Sequence, residues 1–366
     1  MNFVILTCST GGGHNSACAA ISEYLTAQGH NCQAIDCLHF LSKTKAKLIS
    51  DGHVLLYRKA PKLFGMGYRF EEQHTPRFIL SQCEGCAEEF SVAIQTIPCD
   101  VLICVHVFAA LIVTAAKAEY GLKQPFYFVA TDYTCSPGVS SARPDAFFIP
   151  HTALKEEFIA CGVPEEKLVV TGIPVRTCFY QYGDKQKARR QLGLPETGRL
   201  VLLTCGSMGA GPMEDLALLL DLSLRPEDHL AVICGTNDKL EDRLKKSPLS
   251  PRAHIVGFTR QMDVYMDASD LILTKPGGLT TTEVLAKHLP LVYINAVPGC
   301  ETRNLDFMVS RGYARTASTV EGLCALVCQL LADEPGLARW KEKLAHDFSE
   351  RGLDLMYDYL KTALQL

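Results

Sequence analysis

The chain has 366 residues, 48% of them hydrophobic and 21% charged, with a formal net charge of -4 at pH 7. That length allows two domains with full cores, and the composition is that of an ordinary soluble globular protein. The mildly acidic balance gives no reason to expect a nucleic-acid partner. Sixteen cysteines lie scattered in apolar segments, which argues for free thiols in a reducing cytosol rather than a disulfide framework.

Met1-Asn2-Phe3-Val4-Ile5-Leu6 opens a first strand, expected over 3–8, that runs straight into a glycine loop, so no signal peptide is expected. The loop is Ser9-Thr10-Gly11-Gly12-Gly13-His14-Asn15-Ser16, followed by a helix expected over 15–28. Its glycines, Gly12 and Gly13 among them, let the backbone pass close to a ligand. His14 stands at the helix N-terminus, where the dipole favours a neutral imidazole and suits it to act as general base. Helix capping or a phosphate contact is the plainer role for the same residue. Gly11, Gly13 and Ser16 also nearly fit G-x-G-x-x-G, with Asp36 ending a second strand over 32–35, as in an NAD site. The serine in place of the third glycine, and a fuller nucleotide site later in the chain, weigh against that reading.

Residues 43–77 break the alternation of strands and helices. Lys43, Lys45, Lys47 and Arg58 are interleaved with Tyr57, Phe64 and Tyr68 among other apolar residues. A locally basic, aromatic segment in an acidic chain suits an anionic membrane surface, although a helical insertion packed on the core has the same pattern. Cys83 and Cys86 form a lone C-x-x-C without a second pair at zinc-ligand spacing, so no structural zinc is expected. The apolar stretch 101–116 is interrupted by His106 and is short for a bilayer span; it reads as a buried strand followed by a helix.

Strands expected over 101–105, 126–130, 146–149 and 168–171 continue the first series. Asp132 follows one of them and so stands at a carboxyl edge, where it can orient His14, act as base itself, or cap a turn. Glycines, prolines and the cluster Lys185-Gln186-Lys187-Ala188-Arg189-Arg190 mark a linker near 172–187. A second series covers 200–204, 230–234, 254–256, 271–273 and 291–294. The expected fold is therefore α/β, with two doubly wound Rossmann-like domains facing across a cleft. Their expected spans are 1–175 and 187–350, with a last helix over about 353–366 returning to the first.

The second half carries three strand-to-loop motifs. Thr204-Cys205-Gly206-Ser207-Met208-Gly209-Ala210-Gly211 can wrap a distal phosphate, with Ser207 donating its hydroxyl. Phe258 follows the strand where a nucleotide base belongs and can read a uracil edge through its backbone. Thr274-Lys275-Pro276-Gly277-Gly278-Leu279-Thr280-Thr281-Thr282-Glu283 places two glycines, hydroxyls and a carboxylate at a helix start, an order that suits a nucleotide diphosphate. Glu283 lies one turn in, where it can hold ribose hydroxyls. Further on, Glu301 and Asn304 stand three apart and share a face if a helix begins there; they suit a sugar clamp, or N-terminal capping by Glu301. No Asp-x-Asp metal clamp occurs, so helix dipoles and N–H donors must meet the charge of a leaving diphosphate.

These residues resemble family 28 glycosyltransferases of the GT-B fold, the monogalactosyldiacylglycerol synthases and processive diacylglycerol glucosyltransferases. The likeness runs nearly end to end. It is carried by Gly11-Gly12-Gly13-His14 with Ala17, Thr131-Asp132-Tyr133, Thr171-Gly172-Ile173-Pro174-Val175, Lys275-Pro276-Gly277-Gly278 with Glu283, and Pro298-Gly299 with Glu301 and Asn304. The resemblance implies an inverting transferase that needs no metal or other cofactor and moves a hexose from a UDP-sugar to a lipid hydroxyl, diacylglycerol above all. It implies a peripheral enzyme on the cytoplasmic face of the membrane, with domain closure excluding water. His14 or Asp132 is then the base. Gly206, Ser207, Gly277, Gly278 and Thr280 hold the diphosphate, Phe258 the uracil, Glu283 the ribose, Glu301 and Asn304 the sugar. Gly12, Gly13 and the segment 43–77 correspond to the acceptor and membrane region.

Two positions depart from the family pattern. Cys300 stands where the family usually has a glutamine before Glu301, and Cys135-Ser136-Pro137-Gly138-Val139 stand where relatives commonly follow the Thr-Asp aromatic motif with a histidine and then a tryptophan. The choice of sugar and lipid stays open, as do an N-acetylglucosaminyltransferase of the peptidoglycan lipid precursor, a UDP-N-acetylglucosamine epimerase and a non-catalytic sensor.

Overall fold

A computed structural model describes residues 1–9, 12–40, 77–206 and 211–366. Ser207, Lys43, Lys45, Lys47, Tyr57, Arg58, Phe64 and Tyr68 lie outside the described residues. The chain forms two compact units, one of residues 1–177, 297–303 and 350–366, the other of residues 178–296 and 304–349.

The first unit runs β1 (Asn2–Thr7), α1 (Gly12–Ala27), β2 (Asn31–Asp36), α2 (Arg77–Gln95), β3 (Val101–Cys104), α3 (Val107–Glu119), β4 (Phe126–Val129), β5 (Ala146–Ile149), α4 (Lys155–Ala160) and β6 (Leu168–Val170). Its six strands are all parallel, in the order β2-β1-β3-β4-β5-β6. Parallel strands joined by helices are covered on both faces, so they are continuous apolar runs such as Val101-Leu102-Ile103 and Phe147-Phe148-Ile149. Phe3, Phe126, Phe147, Phe148 and Phe158 are all buried to 1% exposure or less. Each contributes about 1.5–3 kcal/mol, against about 0–1 for a surface ion pair, so the core rather than the surface holds this unit. The order of strands reverses between β1 and β3, and in such sheets the crevice at the carboxyl ends beside that reversal is the binding position.

The second unit begins with α5 (Lys185–Gln191) and continues β7 (Leu200–Thr204), α6 (Met213–Ser223), β8 (His229–Ile233), α7 (Asp238–Lys246), β9 (Ala253–Val256) and α8 (Met262–Ala268). It then runs β10 (Leu271–Thr274), α9 (Gly278–Ala286), β11 (Leu291–Tyr293), α10 (Cys300–Ser310, which begins in the first unit), β12 (Ala314–Thr316), α11 (Val320–Ala332) and α12 (Glu334–Asp347). The parallel sheet is ordered β12-β11-β10-β7-β8-β9, with its reversal between β7 and β10. Both sheets have the doubly wound architecture expected from the alternation.

The last helix, α13 (Gly352–Leu364), belongs to the first unit. It buries Leu353, Met356 and Leu360, and Tyr24 Oη donates to Asp354 Oδ1 at 2.6 Å. Gly352 permits its entry: a Cβ there would lie 2.8 Å from the Thr171 carbonyl oxygen.

Two elements differ from expectation. Helix α1 starts at Gly12 rather than Asn15, so Gly12, Gly13 and His14 form its first turn instead of the preceding loop. The three-residue edge strand β12 was not foreseen.

Candidate active site

At the reversal of the first sheet, the residue after β3 meets the first turn of α1. Val105 N bonds the Leu6 carbonyl at 2.9 Å, prolonging the pairing by one residue. Its carbonyl oxygen lies 2.9 Å from His14 Nδ1, and Thr131 Oγ1, just past β4, lies 3.1 Å from the same nitrogen. A carbonyl only accepts, so the proton sits on Nδ1 and the basic lone pair of the neutral ring is on Nε2. Thr7 Oγ1 donates to Asn15 Oδ1 at 3.0 Å, which ties the end of β1 to α1. Asp132, half-buried, adjoins Thr131 at the same edge.

A second histidine belongs here. His106 is the N-cap of α3, its Nδ1 accepting from Phe108 N at 3.1 Å. Its ring meets that of His14 edge-on, with centroids 4.5 Å apart. In the sequence alone His106 is an interruption of an apolar run. Its place, directly after a central strand and before a helix, was the signal that marked it. Two nearby thiols favour the neutral form: donation to the Cys37 sulfur together with burial raises Cys8 well above its ordinary value, and burial does the same to Cys104.

In the second unit, the reversal between β7 and β10 brings two glycine turns to one sheet edge. After β7 comes Cys205-Gly206, with Gly206 in the left-handed region at φ 66°. After β10 comes Pro276, then Gly277 as N-cap of α9, at whose Cα a side chain would meet nothing within 4 Å. Backbone N–H groups at the start of α9 therefore stand at an open edge, the arrangement that takes phosphate.

The structure separates the three threonines of α9. Thr281 Oγ1 pairs with Tyr293 Oη at 2.8 Å, and Thr282 Oγ1 donates to the Gly278 carbonyl at 2.8 Å, both buried. Thr280 and Glu283 are half-exposed. Two further polar atoms, Thr274 Oγ1 at the end of β10 and Asn295 Oδ1 beyond β11, are buried without a protein partner. Asn295 crowds Gly211, where a Cβ would lie 3.3 Å from Oδ1. A polar residue closing the apolar run Leu291-Val292-Tyr293-Ile294 was the sequence signal for it. Phe258, just past β9, has 62% of its surface exposed.

Glu301 and Asn304 stand one turn apart in α10, and their described bonds serve the main chain. Glu301 Oε2 accepts from Val297 N at 2.9 Å. Asn304 is fully buried, with Nδ2 donating to the Pro276 carbonyl at 2.9 Å, which fixes the turn that leads into α9. Cys300 Sγ lies 3.9 Å from Ser136 Oγ, so the two positions that depart from the family pattern adjoin each other. Among the described residues no group of three or more His, Cys, Asp or Glu is placed to hold a metal ion.

The family model described as monogalactosyldiacylglycerol (MGDG) synthase matches residues 14–175, and that described as glycosyltransferase family 28 C-terminal domain matches residues 200–298. A processive diacylglycerol beta-glucosyltransferase of Staphylococcus carnosus (strain TM300) is 25% identical over 352 residues, covering 93% of this chain and 87% of its own. Among solved structures, MurG of Acinetobacter baumannii superimposes with a TM-score of 0.63 at 16% identity, over 99% of each chain. HepE of Anabaena, in complex with UDP-glucose, gives 0.57 at 13% identity over the whole of both chains. These two structural likenesses are ones of fold.

Proposed function

Since the chain belongs to family 28 of the glycosyltransferases and has their two Rossmann-like domains, we propose that it moves a hexose from a UDP-sugar to the hydroxyl of a membrane lipid, most simply diacylglycerol, with inversion at the anomeric carbon. The observation that carries this reading is the pair of glycine turns, after β7 and before α9, at the reversal of the second sheet. The staphylococcal relative, a diacylglycerol glucosyltransferase, supports the acceptor, and the UDP-glucose bound to HepE supports the donor.

In this mechanism the acceptor hydroxyl attacks the anomeric carbon and gives its proton to Nε2 of His14. The tautomer is set by the Val105 carbonyl on Nδ1. The bond from the anomeric carbon to the diphosphate oxygen breaks, and UDP leaves. Its developing charge meets the N–H groups at the start of α9, with Thr280, Gly277, Gly278, Gly206 and Ser207 around it. Glu283 holds the ribose, the backbone at Phe258 the uracil, and Glu301 the sugar. Asn304 acts through the Pro276 turn. No metal ion takes part.

Among the described residues no helix is long and apolar enough to cross a membrane. The basic, aromatic segment 43–77 supports peripheral attachment to an anionic surface, on the cytoplasmic face.

The test is release of UDP from a panel of UDP-sugars, with and without diacylglycerol in anionic vesicles. Lipid-dependent release with one sugar is expected. Acceptor-independent conversion of UDP-N-acetylglucosamine, or binding without turnover, overturns the reading.

A further inference from the structure

His106 carries more chemistry than its capping role requires. Ser, Thr, Asp and Asn are the preferred N-caps, and each can accept from a backbone N–H as His106 Nδ1 does from Phe108 N at 3.1 Å. An imidazole adds two things: a ring set edge-on against His14, with centroids 4.5 Å apart, and a second nitrogen. Both residues are half-buried, so neither ring is sealed inside the core.

The backbone settles where each ring carries its proton. The Phe108 N–H only donates, so His106 Nδ1 presents its lone pair and the ring proton sits on Nε2. For His14 the partner is the Val105 carbonyl at 2.9 Å, which only accepts, so the proton sits on Nδ1 and the lone pair on Nε2. The adjoining rings are thus held in opposite tautomers by one stretch of chain, residues 105–108. Neither ring can invert without losing its backbone bond. The pairing of β1 with β3 brings one acceptor nitrogen and one donor nitrogen to the same sheet edge.

We propose that His106 is a specificity-determining residue that donates its Nε2–H to an ester carbonyl of the lipid, beside the hydroxyl held by His14. The inference rests on hexosyl transfer to a lipid and narrows the acceptor to acylated glycerols. Diacylglycerol has one hydroxyl, and the carbon next to the one bearing it carries an acyl ester. The hydroxyl needs an acceptor, which His14 Nε2 supplies. The ester carbonyl needs a donor, which His106 Nε2 supplies. Two rings in the same tautomer would meet only half of this pattern. A dialkylglycerol keeps the hydroxyl but has an ether in place of the ester, and so offers His106 no carbonyl. A site built to hydrogen-bond a group discriminates against the analogue that lacks it. His106 gives up no proton in this role; His14 alone takes one.

The test compares dioleoylglycerol with its dioleyl ether analogue, each in the same anionic vesicles, by UDP release from the preferred UDP-sugar. The wild type is expected to favour the ester by about three- to tenfold in kcat/KM, the scale of one neutral hydrogen bond. In His106→Ser, which keeps a cap for α3 but has no ring N–H, that ratio is expected to fall to about one. A thermal melt checks that the variant is folded. A wild type indifferent to the ester, or a variant that loses both lipids equally and keeps the ratio, overturns the contact. Long-range nitrogen–proton correlation spectra of the full chain with isotope-labelled histidine read the tautomers without turnover, the His106 signals being those lost in His106→Ser. Nε2–H on His106 and Nδ1–H on His14 are expected, and the same tautomer on both rings overturns the pair. Release with neither lipid would sink the transferase reading and the ester contact with it, whereas the spectra judge the histidine pair independently.

Discussion

His14 Nδ1 lies 2.9 Å from the carbonyl oxygen of Val105, and this contact decides which nitrogen can work as a base. Because the carbonyl holds the proton on Nδ1, the opposite nitrogen carries the lone pair. His14→Ala is therefore expected to lower turnover by about 10²–10⁴-fold. The low-pH limb of the pH–rate profile, where a base is lost to protonation, should vanish with it. Thr131→Val removes a hydroxyl from the same Nδ1 and should cost less than about tenfold, the scale of one neutral hydrogen bond. If Asp132→Asn instead abolishes turnover while His14→Ala keeps it, Asp132 is the base.

Glu283 and Thr281, two residues apart in α9, should fail differently. Glu283 is half-exposed at the open edge, and its carboxylate is the proposed ribose contact. Glu283→Ala should weaken UDP binding by about 10–150-fold in calorimetry, the equivalent of a hydrogen bond to a charged group. Thr281→Val removes the buried hydrogen bond to the Tyr293 hydroxyl and should lower stability by about 0.5–1.5 kcal/mol, with UDP affinity changed less than about threefold. Equal losses of affinity in both would remove the ribose role.

The strands were legible because a parallel sheet buried on both faces needs unbroken apolar runs. Leu200-Val201-Leu202-Leu203 and Leu271-Ile272-Leu273 can hardly be anything else. β12 escaped because Arg315 and Thr316 are exposed on the sheet edge, leaving no run to see. The start of α1 was misplaced because Gly12 and Gly13 are poor helix formers, yet a helix held by the sheet beneath it accepts them.

The glycine turns of the site were visible for the same reason: close approach to phosphate demands a residue type that shows in the sequence. The roles of polar residues were harder. Nothing local distinguishes Thr280, which is half-exposed, from Thr281, which is buried and bonded to Tyr293. His106 and His14 are distant in sequence and become one site only through the pairing of β1 with β3.

Gly198 and Gly193 form a matched pair for measuring close packing. Both have positive φ, 73° and 66°. A Cβ at Gly198 would fall 1.8 Å from the Glu227 carbonyl oxygen, whereas at Gly193 it meets nothing within 4 Å. Gly193→Ala should cost about 1–2 kcal/mol, the left-handed strain alone. Gly198→Ala should cost at least about 2 kcal/mol more, because the backbone at Glu227 must shift. Similar melting temperatures for the two variants would contradict the packing.

Asp270 anchors the second unit, and its pH dependence has a definite sign. It accepts from Lys185, from Arg189 at 3.1 Å, from Arg199 at 3.1 Å and from Leu200 N at 2.9 Å. Burial alone raises its carboxyl, but Lys185 and the Leu200 N–H favour the charged form more, and the net shift is downward. A depressed carboxyl contributes its stability in full above the unfolded value of about 3.9 and loses it as pH falls through the lower folded value. Arg189, only 1% exposed, would be left without this counter-charge in Asp270→Asn. That variant should lose about 3–5 kcal/mol near neutral pH. Urea unfolding from pH 7 to pH 3 should show the gap between wild type and variant constant down to about pH 5, then narrowing below about pH 4. A gap that widens with acid would mean that Asp270 is protonated in the folded chain.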